Sequence, residues 1–167
     1  MSLEHIKLHL IESPDDVTAF RAWLGARRPV NALGFDTEST GLDRFHDRTR
    51  LLQFGDGEHG WAMARNDWLG LARWVIGNFT GRFILHNAKF DVSQVSHSCG
   101  IELPRDRVDD TMVMARINEP HHSMALKSQA ARHVDPAAAS LQDELGGLDG
   151  GTSSRGWTWA KIGRAHV

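Results

Sequence analysis

Asp36 and Glu38 stand one residue apart at the end of the apolar run Ala32-Leu33-Gly34-Phe35, and the chain breaks just afterwards at Ser39-Thr40-Gly41. On a strand, residues i and i+2 point to the same face, roughly 6.5–7 Å apart. Two carboxylates then project from one face at the end of a hydrophobic element. Like charges so close raise each other's pKa unless a cation lies between them, and hard oxygen ligands on a rigid element suit Mg²⁺ or Mn²⁺. An ordinary strand end with solvated acids carries the same residues, so this pair alone leaves both readings open. A second stretch, His86-Asn87-Ala88-Lys89-Phe90-Asp91, follows the short apolar run Phe83-Ile84-Leu85. If a helix begins there, Asn87 and Asp91 share a face near its N-terminal end, and the partial positive charge of that end joins the site. Singly, Asn87 is an ordinary cap and Asp91 an acid favoured in a first turn. The combination weakens that bland reading: a buried strand runs into H-N-x-K-F-D about fifty residues after a buried strand ending in D-x-E.

The elements that must position these residues are readable from periodicity. Residues 5–11, HIKLHLI, alternate as a half-buried strand does. Ser13-Pro14-Asp15-Asp16 supplies a helix start, Val17, Phe20 and Leu24 continue it at helical spacing, and Gly25 and Pro29 end it. After the basic loop Arg44–Arg50, expected to be a solvated turn, Leu51–Phe54 and Trp61–Met63 form two further strands around the turn Gly55–Glu58. Asn66-Asp67 are expected to cap an amphipathic helix whose core stripe is Trp68, Leu71, Ala72, Val75, Ile76 and Phe79. A strand that follows a crossover helix usually joins its sheet in parallel, which places Phe83–Leu85. Val92 to Cys99 continue as a helix stopped by Gly100. The expected fold is α/β: three antiparallel strands, then a parallel strand, in a mixed sheet with helices on its faces.

At 167 residues, with 41% hydrophobic and 24% charged residues, the chain fits one ordinary globular domain. The formal net charge of −2 argues against a surface that coats nucleic acid wholesale, but not against an acidic pocket screened by cations. Cys99 is the single cysteine, so no internal disulfide forms, and near a helix end it reads as buried packing. The N-terminus lacks an apolar signal segment, and no apolar run approaches the ~20 residues of a membrane span. A cytoplasmic location is expected.

DTESTGLD and HNAKFD resemble the first and second motifs of the DEDD exonucleases, closest to the proofreading 3′–5′ exonuclease domain of family-A DNA polymerases of bacterial and phage type. Asp110-Thr111-Met112 and Leu126–Ala130 resemble that domain's downstream helices. The resemblance implies a ribonuclease-H-like sheet with helices on both faces and two divalent cations, Mg²⁺ or Mn²⁺. It implies that Asp36 bridges both ions, that Glu38 binds the ion activating water, and that Asp91 completes the site. Leu42 would pack against the terminal base and Asn87 would contact the terminal nucleotide. The implied partner is the single-stranded 3′ end of DNA, with RNA possible in the manner of ribonuclease D, and a polymerase domain following in the full-length protein. A non-catalytic nucleic-acid-binding domain of the same fold is the alternative from another class. Asp36, Glu38 and Asp91 are expected to converge, with Asn87 on the rim.

His121-His122 in a loop before a helix starting near Ser123 read as solvated rather than ligating. The family's third motif, Tyr-x-x-x-Asp or His-x-x-x-x-Asp, is not found: the chain contains no tyrosine, and its His-x-x-x-x-Asp lies inside the second motif. Residues 1–135 are expected to form the exonuclease-like domain and 136–167 a flexible, Gly/Ser-rich tail. The terminal KIGRAHV resembles translated sequencing adaptor, so interruption before the third motif is expected, with a naturally divergent C-terminus as the alternative. Asp143, Glu144 and Asp149 sit in or beside Gly-rich sequence unsuited to holding a substitute acid rigidly.

Overall fold

Alternation decides which side chains meet, because successive residues of a strand face opposite sides of the sheet. The computed structural model describes residues 5–26 and 32–139. It contains strands β1 (Lys7–Ile11), β2 (Ala32–Ser39), β3 (Thr49–Gly55), β4 (His59–Ala64), β5 (Arg82–Leu85) and β6 (Val108–Asp110). The helices are α1 (Pro14–Ala26), α2 (Arg65–Asn78), α3 (Ala88–Cys99), α4 (Thr111–Asn118) and α5 (Leu126–His133). The sheet order is β1-β4-β3-β2-β5-β6. Strands β2, β3 and β4 form the expected antiparallel meander, and β5 joins β2 in parallel. Two parallel edges extend it: β1 pairs with β4 and β6 with β5.

One face of this sheet carries the core. Phe35, Phe54 and Trp61 lie opposite one another across β2, β3 and β4, with the Phe35 and Phe54 rings 5.0 Å apart. Phe83 on β5 meets Phe35 at 6.3 Å. Onto this layer α1 lays Phe20, 5.4 Å from Trp61, and α2 lays Leu71, Ala72, Val75 and Ile76, ending at Phe79 against Phe83. Each buried Leu, Val, Ile or Phe contributes roughly 1.5–3 kcal/mol, so these helices have no comparably favourable alternative position. Helix α3 adds Val95 and Cys99 to the same cluster. Leu51, on the opposite face of β3, is 1% exposed yet lies outside it.

The helix ends follow local chemistry. Ser13 and Asp16 form a reciprocal cap at α1: the Ser13 N–H donates to Asp16 Oδ2 at 2.8 Å and the Asp16 N–H to Ser13 Oγ at 3.3 Å. Gly100 closes α3 with φ 61°, as expected of a C-terminal glycine. The start of α2 differs from expectation. The helix begins at Arg65 after Ala64 with no side-chain cap, and Trp68 leaves helical geometry (φ −122°, ψ 18°). The Arg65 guanidinium, which reaches the Ser98 carbonyl of α3 at 2.6 Å, anchors that end instead. Ser123 likewise caps a turn rather than α5 directly, accepting from the Ala125 N–H at 3.3 Å. Residues 136–139 of the segment expected as tail form a 3₁₀ turn with Ala138 buried. The rest of that segment, with its three acids, and Pro29 lie outside the described residues.

Candidate active site

Burial alternates along β2: Leu33, Phe35 and Thr37 are buried on the core face, whereas Asp36 and Glu38 share the other face, each half-buried. The sheet is incomplete on one side of them. Strand β5 pairs with β2 only as far as Gly34, so the edge from Phe35 onward is open toward α3. Asp91, one turn into α3, fills that edge. Its Oδ1 accepts the Thr37 N–H at 3.1 Å and the Thr37 hydroxyl at 2.6 Å, and the residue is 2% exposed. Burial, and then the negative charge of Asp36, push the Asp91 carboxyl up to about 7, against the opposing pull of the Thr37 bonds. The two acids are thus electrical neighbours, Asp91 meeting β2 from its edge and Asp36 projecting from the strand beside it. Glu38 stands on the same face as Asp36, and one oxygen of each, Asp36 Oδ2 and Glu38 Oε1, is screened from solvent. Among the described residues no three His, Cys, Asp or Glu side chains are grouped so as to hold an ion together.

The donor chemistry nevertheless fits a hard divalent cation. A carboxyl kept protonated near neutrality by burial and then by an adjacent acid is a site short of positive charge. A cation at Asp36 and Asp91 would relieve both desolvation and repulsion. Glu38 is placed to extend such a ligand set along β2.

Leu42 and Asn87 occupy exposed positions. Leu42 is 86% exposed at the tip of the loop after β2, and that loop is far more ordered by hydrogen bonds than a solvated turn. Asp47 takes the Thr40 hydroxyl at 2.8 Å and the Asp43 N–H at 2.8 Å, while Asp43 takes the Phe45 N–H at 2.9 Å. His46 donates to Asp43 at 2.8 Å, which holds the Asp43 carboxyl below its usual range and raises the imidazole. A Cβ at Gly41 would run into the Asp47 carboxylate, so the glycine leaves that carboxylate room to close the loop. Asn87 does not cap α3 with its side chain. It is exposed and adopts left-handed geometry (φ 65°, ψ 50°) between β5 and α3, a conformation that non-glycine residues other than Asn and Asp seldom adopt.

What holds that elbow is Asp110, a residue to which sequence reasoning gave no role. Its carboxylate accepts the Asn87 N–H at 3.1 Å and the Ala88 N–H at 2.9 Å. It also caps α4 through the N–H groups of Met112 at 2.9 Å and Val113 at 3.3 Å. Beside it, the Thr111 hydroxyl donates to the Leu85 carbonyl at 3.0 Å. His86 donates from Nε2 to the Met124 carbonyl at 2.8 Å, with its Nδ1 2.9 Å from Thr111 Oγ1. The signal was present as a helix-capping Asp before an apolar stretch, but its second duty needs β6 beside β5 and so is invisible locally. His121 and His122 are exposed and take part in none of this.

A six-stranded mixed sheet whose central strand carries paired acids, met at an open edge by a third acid from the following helix, defines a ribonuclease-H-like nuclease fold. Residues 11–146 match the model of the 3′–5′ exonuclease family. The chain belongs to that family, in the type carried by DNA polymerases. It is 33% identical over 122 residues to a DNA polymerase of Mycobacterium phage L5, covering 69% of this chain and 20% of that protein. The chain therefore spans about a fifth of the length of this curated relative. Among solved structures, Escherichia coli RNase D, an exoribonuclease involved in structured RNA processing, is similar in fold, with TM-score 0.60 at 19% identity over 96% of this chain and 40% of that one. Brucella melitensis NrnC with bound Mg²⁺ superposes with TM-score 0.59 at 19% identity, covering 78% of this chain and 62% of that one. No helix among the described residues is long and apolar enough to cross a membrane.

Proposed function

We propose that the domain removes nucleotides from the 3′ end of single-stranded DNA by hydrolysis at Asp36, Glu38 and Asp91, as the exonuclease part of a longer polymerase. The observation that carries this reading is the Asp91 carboxyl, buried at the open edge of β2 and raised by its own burial and by Asp36. As the family resemblance implies, Asp36 would be shared by two divalent cations, and its charge already acts on Asp91. Glu38 would hold the one nearer the attacking water, and Asp91 the other. Such ions lower the pKa of bound water and stabilise the attacking and leaving oxygens of the displacement. Water oxygen bonds to the terminal phosphorus as the bond to the neighbouring 3′ oxygen breaks, releasing a nucleoside 5′-monophosphate. The water's proton passes to solvent, and the 3′ oxygen takes up another. Leu42 on its braced loop and Asn87 on its strained elbow form the rim against which the terminal nucleotide packs.

The chain alone is a slow exonuclease on this reading, because it contains no tyrosine to orient the water and no third motif to supply a fourth acid. Loss of even an outer-shell partner of a metal ligand costs ~10–100-fold. The test is nucleotide release from single-stranded DNA and RNA in Mg²⁺ and Mn²⁺, by this chain and by one extended with a helix bearing Tyr-x-x-x-Asp. Faster release by the extended chain, abolished by Asp36→Ala and greater on DNA, supports the proposal. Equal rates for the two chains, or release that survives Asp36→Ala, refutes it.

A further inference from the structure

Strand β3 lies between β2 and β4, and Gln53 is its residue directly opposite Asp36. Opposite residues of an antiparallel pair point to the same face with Cβ atoms about 4.5–5.5 Å apart, so the Gln53 amide is within side-chain reach of the Asp36 carboxylate. The strands around it offer it nothing else polar. On that face β4 brings Gly60, Ala62 and Ala64, and β3 itself brings Leu51 and Gly55. The polar side chains that β2 sets there are Asp36 and Glu38. Gln53 is half-buried, yet its Nε2 is shielded from solvent and donates to nothing among the described residues. A buried amide that makes no hydrogen bond is destabilising, and native folds keep few of them. Gln94, the fully buried glutamine of α3, differs in this: its Nε2 donates to the Asp47 carbonyl at 3.2 Å and so helps to hold the rim loop.

We propose that Gln53 is a positioning residue for Asp36: its side-chain amide donates to the Asp36 carboxylate when a divalent cation is held there, and so fixes the direction in which that carboxylate presents its oxygens. The inference rests on the exonuclease reading of Asp36, Glu38 and Asp91, and adds to it a residue from a third element, β3. Carboxylates that hold metal ions are themselves held by hydrogen bonds from behind, and those bonds set their orientation. Asp91 already has such support, since the Thr37 N–H and hydroxyl hold its Oδ1 at 3.1 and 2.6 Å. Gln53 supplies the counterpart for Asp36 from the neighbouring strand. An amide suits that duty better than a lysine or arginine, because it donates a hydrogen bond without bringing a positive charge that would compete with the cation. Hydrogen bonds of this kind commonly tighten only when the site is loaded, which accounts for an amide that faces a carboxylate without yet bonding to it.

The experiment measures Mn²⁺ binding by calorimetry and thermal melting in a chelator, on the full chain and on its Gln53→Met and Asp36→Ala variants. Methionine keeps the length and unbranched shape of glutamine and lacks the amide. The wild type should bind Mn²⁺, and Asp36→Ala should not. Gln53→Met should bind at least about tenfold more weakly, the loss usual for an outer partner of a metal ligand. In chelator the same variant should melt no lower than the wild type, because the amide it removes has no hydrogen bond there to lose. A glutamine that merely packs would give a different pattern, with the melting temperature moved and the Mn²⁺ affinity left alone. Wild-type affinity in folded Gln53→Met therefore overturns the role of Gln53 and leaves the exonuclease reading standing. Weaker binding matched by a lower melting temperature in chelator overturns it as well, as a loss of packing. If circular dichroism finds Gln53→Met unfolded, Gln53→Ala takes its place with the same expected loss of affinity, and failure of both to fold makes Gln53 a residue of the scaffold and overturns the proposal. A wild type that binds no Mn²⁺, or Asp36→Ala that binds as well as the wild type, overturns both readings.

Discussion

Replacing Asp91 by Asn should stabilise the metal-free protein at alkaline pH and barely affect it at acid pH. The carboxyl has an ordinary value of 3.8 and is pushed to about 7 in the fold, first by burial and then by Asp36. Below pH 3.8 it is protonated whether the chain is folded or not, and it costs nothing. Between 3.8 and about 7 the unfolded chain releases the proton while the folded one keeps it, so stability falls as pH rises. Each pH unit is worth about 1.4 kcal/mol, which brings the loss to ~4 kcal/mol on the alkaline side of the folded value. Asn carries no charge at any pH, and its carbonyl oxygen can still accept both bonds from Thr37. Its amide group needs a new partner, which offsets part of the gain, so ~2–4 kcal/mol is expected at pH 8 and near zero at pH 4.

For a chain of this size, 1 kcal/mol moves the melting temperature by about 2–4 °C, so thermal melts in a chelator at the two pH values resolve the effect easily. Saturating Mn²⁺ should then largely cancel the difference. A ligand present at a hundred times its dissociation constant stabilises by ~2.7 kcal/mol, a benefit the wild type gains and Asp91→Asn largely forgoes. The reasoning is refuted if the two proteins differ by the same amount at pH 4 and pH 8, or if Asp91→Asn is the less stable one at pH 8 without metal.

Asp110→Ala should destabilise by ~2–4 kcal/mol in urea denaturation, since it removes one helix cap worth about 0.5–2 kcal/mol and two further N–H partners at the Asn87 elbow. Asp110→Asn should cost less, and Mn²⁺ affinity should fall in step with disorder of that elbow. Leu42→Ala should leave the stability within about 0.5 kcal/mol of wild type, the side chain being 86% exposed. It should nonetheless weaken oligonucleotide binding by ~1–3 kcal/mol with metal affinity unchanged, as read by calorimetry. Gly41→Ala should disturb the Asp47 bonds that close the rim loop, costing ~1–3 kcal/mol and weakening oligonucleotide binding beyond Leu42→Ala.

Where the elements are long and periodic, as in α2 with its stripe from Leu71 to Ile76, their place in the core follows from spacing alone. The same holds for β3 and β4, whose short turn leaves no choice but antiparallel pairing, with β2 joining them antiparallel across the loop 40–48. At the two parallel edges, β1 was legible as a strand but its pairing with β4 was not, and β6 was not legible at all. Strand β1 is half-exposed and separated from β4 by most of the opening segment, and β6 is three residues, Val-Asp-Asp, with neither alternation nor β-propensity to announce it.

The candidate site divides along the same line. Asp36 and Glu38 carry their geometry in their spacing, since both sit on one strand. Asp91 does not, because its position depends on where β5 stops pairing with β2. Had β5 continued past Gly34, the Thr37 N–H would bond to a neighbouring strand and the Asp91 carboxylate would have no place at the edge. The shortness of β5, four residues ended by His86 and a left-handed Asn87, is therefore what opens the sheet to a third acid. Asp110 is what keeps it short, by taking the first two N–H groups beyond His86 for itself. A cap that looks like one helix's private business thus sets how close two carboxylates on different elements can come, and with it how strongly the pair attracts a cation.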